Sequence, residues 1–337
     1  MLSLKQQVRT IEGVDINALG EDVLQSQEPL ILKGLVSDWP LVQQAQRGDD
    51  AFCEYLLQHY SGQPITAYYG APEIEGRIFY NDDMSGFNFS PASVSLGQLI
   101  EKLRQHKDDN QPPTLYMGST SVPMWFPKLM AENPLGVEQL NPLVSLWFGN
   151  KSRIAAHFDF PDNIACVVAG RRKFTLFPPE QVKNLYIGPL DFTPAGQAIS
   201  LVDFNAPDLE KYPRFVKALA HAQVAELEPG DALFIPSMWW HHVESLSDIN
   251  ALVNYWWRST PSYLGNPADA LNHALLSIAQ LPANQKQAWQ NIFEQFVFND
   301  DEDAHNHIPQ QRKGTLGDID PVQAKRLRAQ LLNKLNR

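Results

Sequence analysis

The chain predicts a mainly β protein, a sandwich or barrel with flanking helices. Between residues 143 and 258, short apolar runs follow one another as LVSLWFG, RIAAHFDF, NIACVVAG, KFTLF, AQVAEL, DALFIP, WWHHVESL and NALVNYWW. Turn residues punctuate them at Gly149-Asn150, Ala169-Gly170, Pro178-Pro179 and Glu228-Pro229-Gly230-Asp231. Many short strands at such spacing close into a sandwich or barrel. Composition agrees: 25 prolines and 8 tryptophans in 337 residues suit a loop-rich β protein better than a helix bundle.

The texture changes on either side of this core, taken as residues 136–260. Residues 1–135 mix helical patterns (about 16–26, 51–60 and 95–106) with short apolar strands at Leu30-Ile31-Leu32, Ile65-Thr66-Ala67-Tyr68-Tyr69 and Thr114-Leu115-Tyr116-Met117. They read as an α/β elaboration packed on the barrel. Residues 261–337 read as helical. Asn266-Pro267 is an N-cap with proline at the first helical position, followed by Leu271, Leu275 and Ile278 on one face. A second helix carries Trp289, Ile292, Phe293 and Phe296. Asp320-Pro321 opens a third, with Ala324, Leu327, Leu331 and Leu335 at spacings of three and four.

Composition narrows the class. With 44% hydrophobic and 19% charged residues the chain is of ordinary soluble globular type. Apolar runs such as Ile164 to Ala169 fall far short of the roughly 20 residues a membrane helix needs. The N-terminal MLSLKQQVRTIEG lacks the apolar core of a signal peptide. Two cysteines, Cys53 and Cys166, make no disulfide framework, so the reducing cytoplasm is the expected location. A formal net charge of −11 disfavours nucleic acid as a partner. The acidic run from Asn299 to His307 lacks the spacing of a calcium loop and reads as a solvated connection. The basic run Lys325-Arg326-Leu327-Arg328 reads as a charged helix face.

The chemistry concentrates in His157-Phe158-Asp159. On a strand, residues i and i+2 share a face, so the imidazole and the carboxylate point the same way. With a second histidine from a distant strand they make the facial triad of a non-haem Fe(II) centre, which leaves adjacent positions open for a co-substrate and O2. The strand bracketed by Pro229-Gly230-Asp231 and Pro236 leads to His241 and His242. These face opposite ways, and spacing alone leaves the choice between them open.

The segments AAHFDFPDN, GRRKFTLFPPEQ, VDFNAPDLEKYPRF, GDALFIPSMWWHHVESL and LVNYWW resemble the Jumonji-C (cupin-like) Fe(II)- and 2-oxoglutarate-dependent oxygenases, and within them the asparaginyl hydroxylases of hypoxia-inducible factor. Weaker echoes lie in EPLILKGLVSDWP and LYMGS. The resemblance implies a double-stranded β-helix (jelly-roll or cupin) core plus C-terminal helices. It implies His157, Asp159 and His241 as metal ligands and catalytic residues, with His242 outside the metal shell. It implies Fe(II) as cofactor, 2-oxoglutarate and O2 as co-substrates, and Tyr116, Asn163, Arg172 and Asn254 as 2-oxoglutarate contacts. Arg172 stands where the family has lysine, and the two are not interchangeable. Ile154 stands where the family has threonine, which removes a hydroxyl. Trp147, Phe158, Phe174 and Trp256 are candidates for an apolar shell.

The implied reaction is hydroxylation of a C–H bond, with succinate and CO2 as co-products and a protein side chain as substrate. Ala198-Ile199 replaces the polar pair that contacts the target peptide in the asparaginyl hydroxylases, so asparagine specificity does not carry over. The alternatives are a small molecule or an RNA base as substrate, or a metal-holding cupin without turnover. A homodimer through the C-terminal helices is implied as well.

Overall fold

The computed structural model describes residues 6–194, 196–301 and 303–336. The first five residues of the N-terminal segment and Glu302 of the acidic run lie outside them. The chain divides into two compact units, Met1–Ser259 and Thr260–Arg337.

The first unit is built on two sheets. The six-stranded sheet runs in the order Gln6–Gln7, Gln223–Leu227, Arg172–Phe177, Trp240–Ser245, Ser152–His157, Arg77–Ile78. The nine-stranded sheet runs Arg9–Glu12, Leu30–Lys33, Ala232–Ile235, Asp162–Ala169, Asn250–Trp257, Leu143–Gly149, Thr114–Ser121, Ile65–Gly70, Phe89–Val94. The inner strands pair antiparallel and pass between the sheets in sequence, as a jelly-roll core does. The segment before residue 135, read above as an elaboration, supplies flanking strands to both sheets and so covers edges that would otherwise expose unpaired backbone.

Side-chain alternation explains why Asp162–Ala169 is apolar almost throughout. Ala165 and Val167 pack with Phe174, Leu176, Ala225 and Val243 in the space between the sheets. Ile164, Cys166 and Val168 turn to the other face, where they pack with residues of the helices Pro40–Arg47, Asp49–His59 and Leu96–Gln105. A strand buried on both faces reads as a continuous apolar run rather than as an alternating one. Gly170 makes the turn into Arg172–Phe177 at φ +66°, and a Cβ there would strike the carbonyl of Ile249. Glycine at this point lets the chain reverse tightly and starts the next strand on Arg172.

The second unit holds the helices Pro267–Ser277, Ala283–Phe296 and Pro321–Leu335. Asn266 caps the first by accepting from the Ala268 amide at 3.1 Å. Asp320 caps the last by accepting from the Gln323 amide at 2.7 Å, and the Gln323 side chain returns the bond to the Asp320 amide. Among the described residues, no helix is long and apolar enough to cross a membrane.

Candidate functional site

Between the sheets lies a cavity of about 560 Å³. Strand pairing places His157 directly opposite His241 at the end of the six-stranded sheet. Their ring centroids are 4.4 Å apart. Asp159 follows two residues after His157, past the end of its strand. The approach of Asp159 to His157 therefore comes from the loop, not from strand alternation. That loop is anchored: the Met238 amide donates to the Asp159 carbonyl at 2.9 Å, and Ser237 Oγ donates to the Phe160 carbonyl at 2.6 Å. The carboxylate is held by the Trp256 indole N–H, which donates to Asp159 Oδ2 at 3.1 Å. Ligand atoms from His157, Asp159 and His241 all lie within 4.8 Å of one another.

The two histidines are oriented so that they could hold a metal ion. Nδ1 of His157 lies 2.9 Å from the Ala155 carbonyl, and Nδ1 of His241 lies 3.0 Å from the Trp239 carbonyl. A carbonyl only accepts, so each Nδ1 carries the proton and each Nε2 keeps a free lone pair. Nε2 of His241 is 3.6 Å from Asp159 Oδ2. Burial, and then the neighbouring His157, push His241 down to about 4 despite Asp159. It is neutral, and thus able to ligate, at physiological pH. Two imidazoles and one carboxylate fit a divalent first-row ion with open positions.

The cavity wall also holds a cation. Arg172 is 3% exposed, its Nε has no hydrogen-bond partner, and no ion pair joins it to a carboxylate among the described residues. Burial lowers it to about 10, partly offset by Tyr116. The Tyr116 hydroxyl is raised by burial and lowered by Arg172. Lys173, next along the strand, turns away to pair with Glu244 at 2.9 Å. Asn254 Nδ2 donates to Asn163 Oδ1 at 2.6 Å, and both residues line the cavity. All seven residues singled out from the sequence thus border one space. Ile154 borders it too, as do Trp147, Phe174 and Trp256, whereas Phe158 packs edge-on against Trp240 on the outer side of the sheet. Sequence reasoning missed the bond from Trp256 to Asp159, and also the outer wall formed by Tyr68, Phe89, Trp125 and Gln197.

His242 points away from the cavity. It lies on the Phe204 ring at 4.5 Å, and neither ring nitrogen has a partner among the described residues. Burial, then Lys173 and Arg153, lower it to about 3. The unfolded chain takes up this proton near pH 6.5 while the folded chain refuses it, so stability falls as pH drops below 6.5. Between pH 6.5 and 5 that loss is about 2 kcal/mol at one such site. A His242→Leu variant is expected to lose less of its thermal midpoint than the wild type between pH 7.5 and pH 5. Equal losses in melting curves of the two proteins would remove His242 as a source of acid lability.

A double-stranded β-helix holding two histidines and a carboxylate at one end of its sheets is the architecture of the cupin class. The sequence profile described as the cupin-like domain matches residues 17–263, and the chain belongs to this family, of Jumonji-C type. It is 36% identical over 124 residues to lysine-specific demethylase JMJ31 of Arabidopsis thaliana, covering 36% of this chain and 22% of that protein. It is 32% identical over 294 residues to HSPB1-associated protein 1 of Rattus norvegicus, covering 81% of this chain and 58% of that protein. It is 35% identical over 275 residues to tRNA wybutosine-synthesizing protein 5 of Danio rerio, covering 77% of each. The chain thus spans less than two thirds of the first two of these relatives.

Proposed function

We propose that this protein is an Fe(II)- and 2-oxoglutarate-dependent oxygenase that hydroxylates a C–H bond, with a protein side chain as substrate. The observation that carries the reading is one cavity joining a His157–Asp159–His241 ligand set to Arg172, a buried cation with no carboxylate partner among the described residues. A dicarboxylic acid would answer both ends, one carboxylate paired with Arg172 and the 2-oxo acid end left for a metal held by the triad. His157, Asp159 and His241 would hold the iron, which when bound would supply O2 activation coupled to oxidative decarboxylation of 2-oxoglutarate to succinate and CO2. The chain's own part is to bind, orient and exclude water. Trp256 fixes the Asp159 carboxylate, the two backbone carbonyls fix the imidazole tautomers, and the aromatic walls keep the cavity dry.

The acidic balance of the chain supports a protein rather than an RNA substrate. Two buried free thiols, Cys53 and Cys166, support a reducing, cytoplasmic setting. The reading predicts succinate formation from 2-oxoglutarate in the presence of Fe(II) and O2, even without added substrate, through uncoupled turnover. A wild-type protein that makes no succinate and does not bind 2-oxoglutarate when metal-loaded overturns it and leaves a metal-holding cupin.

We propose further that the helices after residue 260 pair two copies of the chain. Leu275, Leu276, Trp289, Phe296, Leu331 and Leu335 are each more than 40% exposed. Ala324 is the one buried hydrophobic residue among the described residues of this unit. Helices rarely leave such faces in water. Removing residues 320–337 is expected to halve the mass found by sedimentation, and an unchanged mass excludes pairing through this element.

A further inference from the structure

We propose that the indole N–H of Trp147 donates to the dicarboxylic acid bound at Arg172, taking over the task of the hydroxyl that Ile154 lacks. The inference rests on the co-substrate reading above.

Trp147 lies on the strand Leu143–Gly149, whose neighbours Leu146 and Phe148 pack toward the helices. Alternation turns Trp147 the other way, into the cavity. Its ring stacks on Tyr116, with centroids 6.0 Å apart and planes at 27°, and stands edge-on to Trp256 at 5.8 Å and 81°. Tyr116 is the residue that feels Arg172, and Trp256 is the residue that holds Asp159. The indole therefore sits between the cationic end of the cavity and the ligand set.

Its Nε1 is buried and has no partner among the described residues, as is true of Nε of Arg172. A buried donor without an acceptor is destabilising, and native structures rarely keep one unless something arrives to use it. Packing does not require this nitrogen, since the same surface would be filled by a phenylalanine. Both orphaned groups are donors, so the missing occupant is rich in acceptors and, beside Arg172, anionic. The rest of this wall, formed by Ile154, Phe174, Ile235, Val243 and Leu252, has no polar side-chain atom to offer. A carboxylate held by Arg172 has further lone pairs to satisfy, and Trp147 Nε1 is a donor placed to do so.

The test uses the Zn(II)-loaded protein, which is diamagnetic and inert to O2. Calorimetric titration with 2-oxoglutarate is expected to show roughly tenfold weaker binding for Trp147→Phe than for wild type, the loss of one hydrogen bond to a charged group. Zn(II) affinity should be unchanged. Adding Ile154→Thr to the Trp147→Phe background should recover most of the loss. In wild-type protein with ¹⁵N-labelled tryptophan, the indole cross-peak that is missing from Trp147→Phe should move downfield on adding 2-oxoglutarate. Binding that is equal in wild type and Trp147→Phe, or a Trp147 cross-peak that does not move, overturns this inference and leaves the co-substrate reading standing. Absence of 2-oxoglutarate binding to the wild type overturns the reading on which it rests.

Discussion

Replacing His157 by alanine is expected to lower succinate formation from 2-oxoglutarate by more than ~100-fold, because loss of a partner that merely orients a ligand already costs 10–100-fold. The substitution leaves Asp159 and His241 as a two-point site. A carboxylate and one imidazole 3.6 Å apart then lack the third donor that fixes the open face. The fold should tolerate the change. His157 is only half-buried, stands at the end of its strand and makes one hydrogen bond, to the carbonyl two residues back. The measurement is succinate by mass spectrometry together with bound iron per chain. Loss of both, with a thermal midpoint within a few degrees of wild type, is the expected result. Succinate formation that persists at the wild-type rate would falsify the assignment of His157. His242→Leu is the matched control, because it removes the adjacent imidazole from the opposite face of the same strand and should leave turnover in place.

How this site could be read from the sequence depended on which interactions were local. His157 and Asp159 are two residues apart, so spacing brought that pair together, whereas the choice of His241 over its neighbour His242 came from the family resemblance. The alternation argument reached the right neighbours for a partly wrong reason, since the strand ends at His157 and a loop anchored by Met238 and Ser237 brings Asp159 round. Aromatic residues were harder. Phe158, Trp147 and Trp256 look alike in an apolar run, yet one lies outside the sheet, one has a buried N–H with no partner among the described residues and one holds the Asp159 carboxylate. That difference is fixed by contacts between segments more than 90 residues apart in the chain, as in the bond from Trp256 to Asp159. The helix Pro40–Arg47 was likewise passed over. Its buried residues are only Leu41 and Val42, too few for a helical period to stand out. The caps of the C-terminal helices were legible because Asn266-Pro267 and Asp320-Pro321 are local signals that need no partner.

Arg172→Met should move stability and binding in opposite directions, and this pairing of effects separates a ligand-binding arginine from a structural one. In the ligand-free protein, a guanidinium that is 3% exposed, lowered to about 10 by burial and without an anion is a net burden on folding. Methionine fills similar volume without charge, so the ligand-free variant is expected to be more stable than wild type by about 1 kcal/mol or more. Its affinity for 2-oxoglutarate should fall by roughly 150- to 5,000-fold, the effect of leaving one partner of a buried ion pair alone, about 3–5 kcal/mol. Melting curves with and without 2-oxoglutarate on metal-loaded protein display both effects together. Ligand at 100 times its wild-type dissociation constant should add about 2.7 kcal/mol to the wild type and less than about 0.4 kcal/mol to the variant at the same concentration. A structural arginine gives another pattern, in which the variant melts lower than wild type and still responds to 2-oxoglutarate. Arg172→Lys should fall between the two, since the charge remains but the planar pair of donors that matches a carboxylate is lost. If lysine instead binds 2-oxoglutarate as tightly as arginine, the site needs only a positive charge, and the fork geometry of Arg172 has no part in recognition.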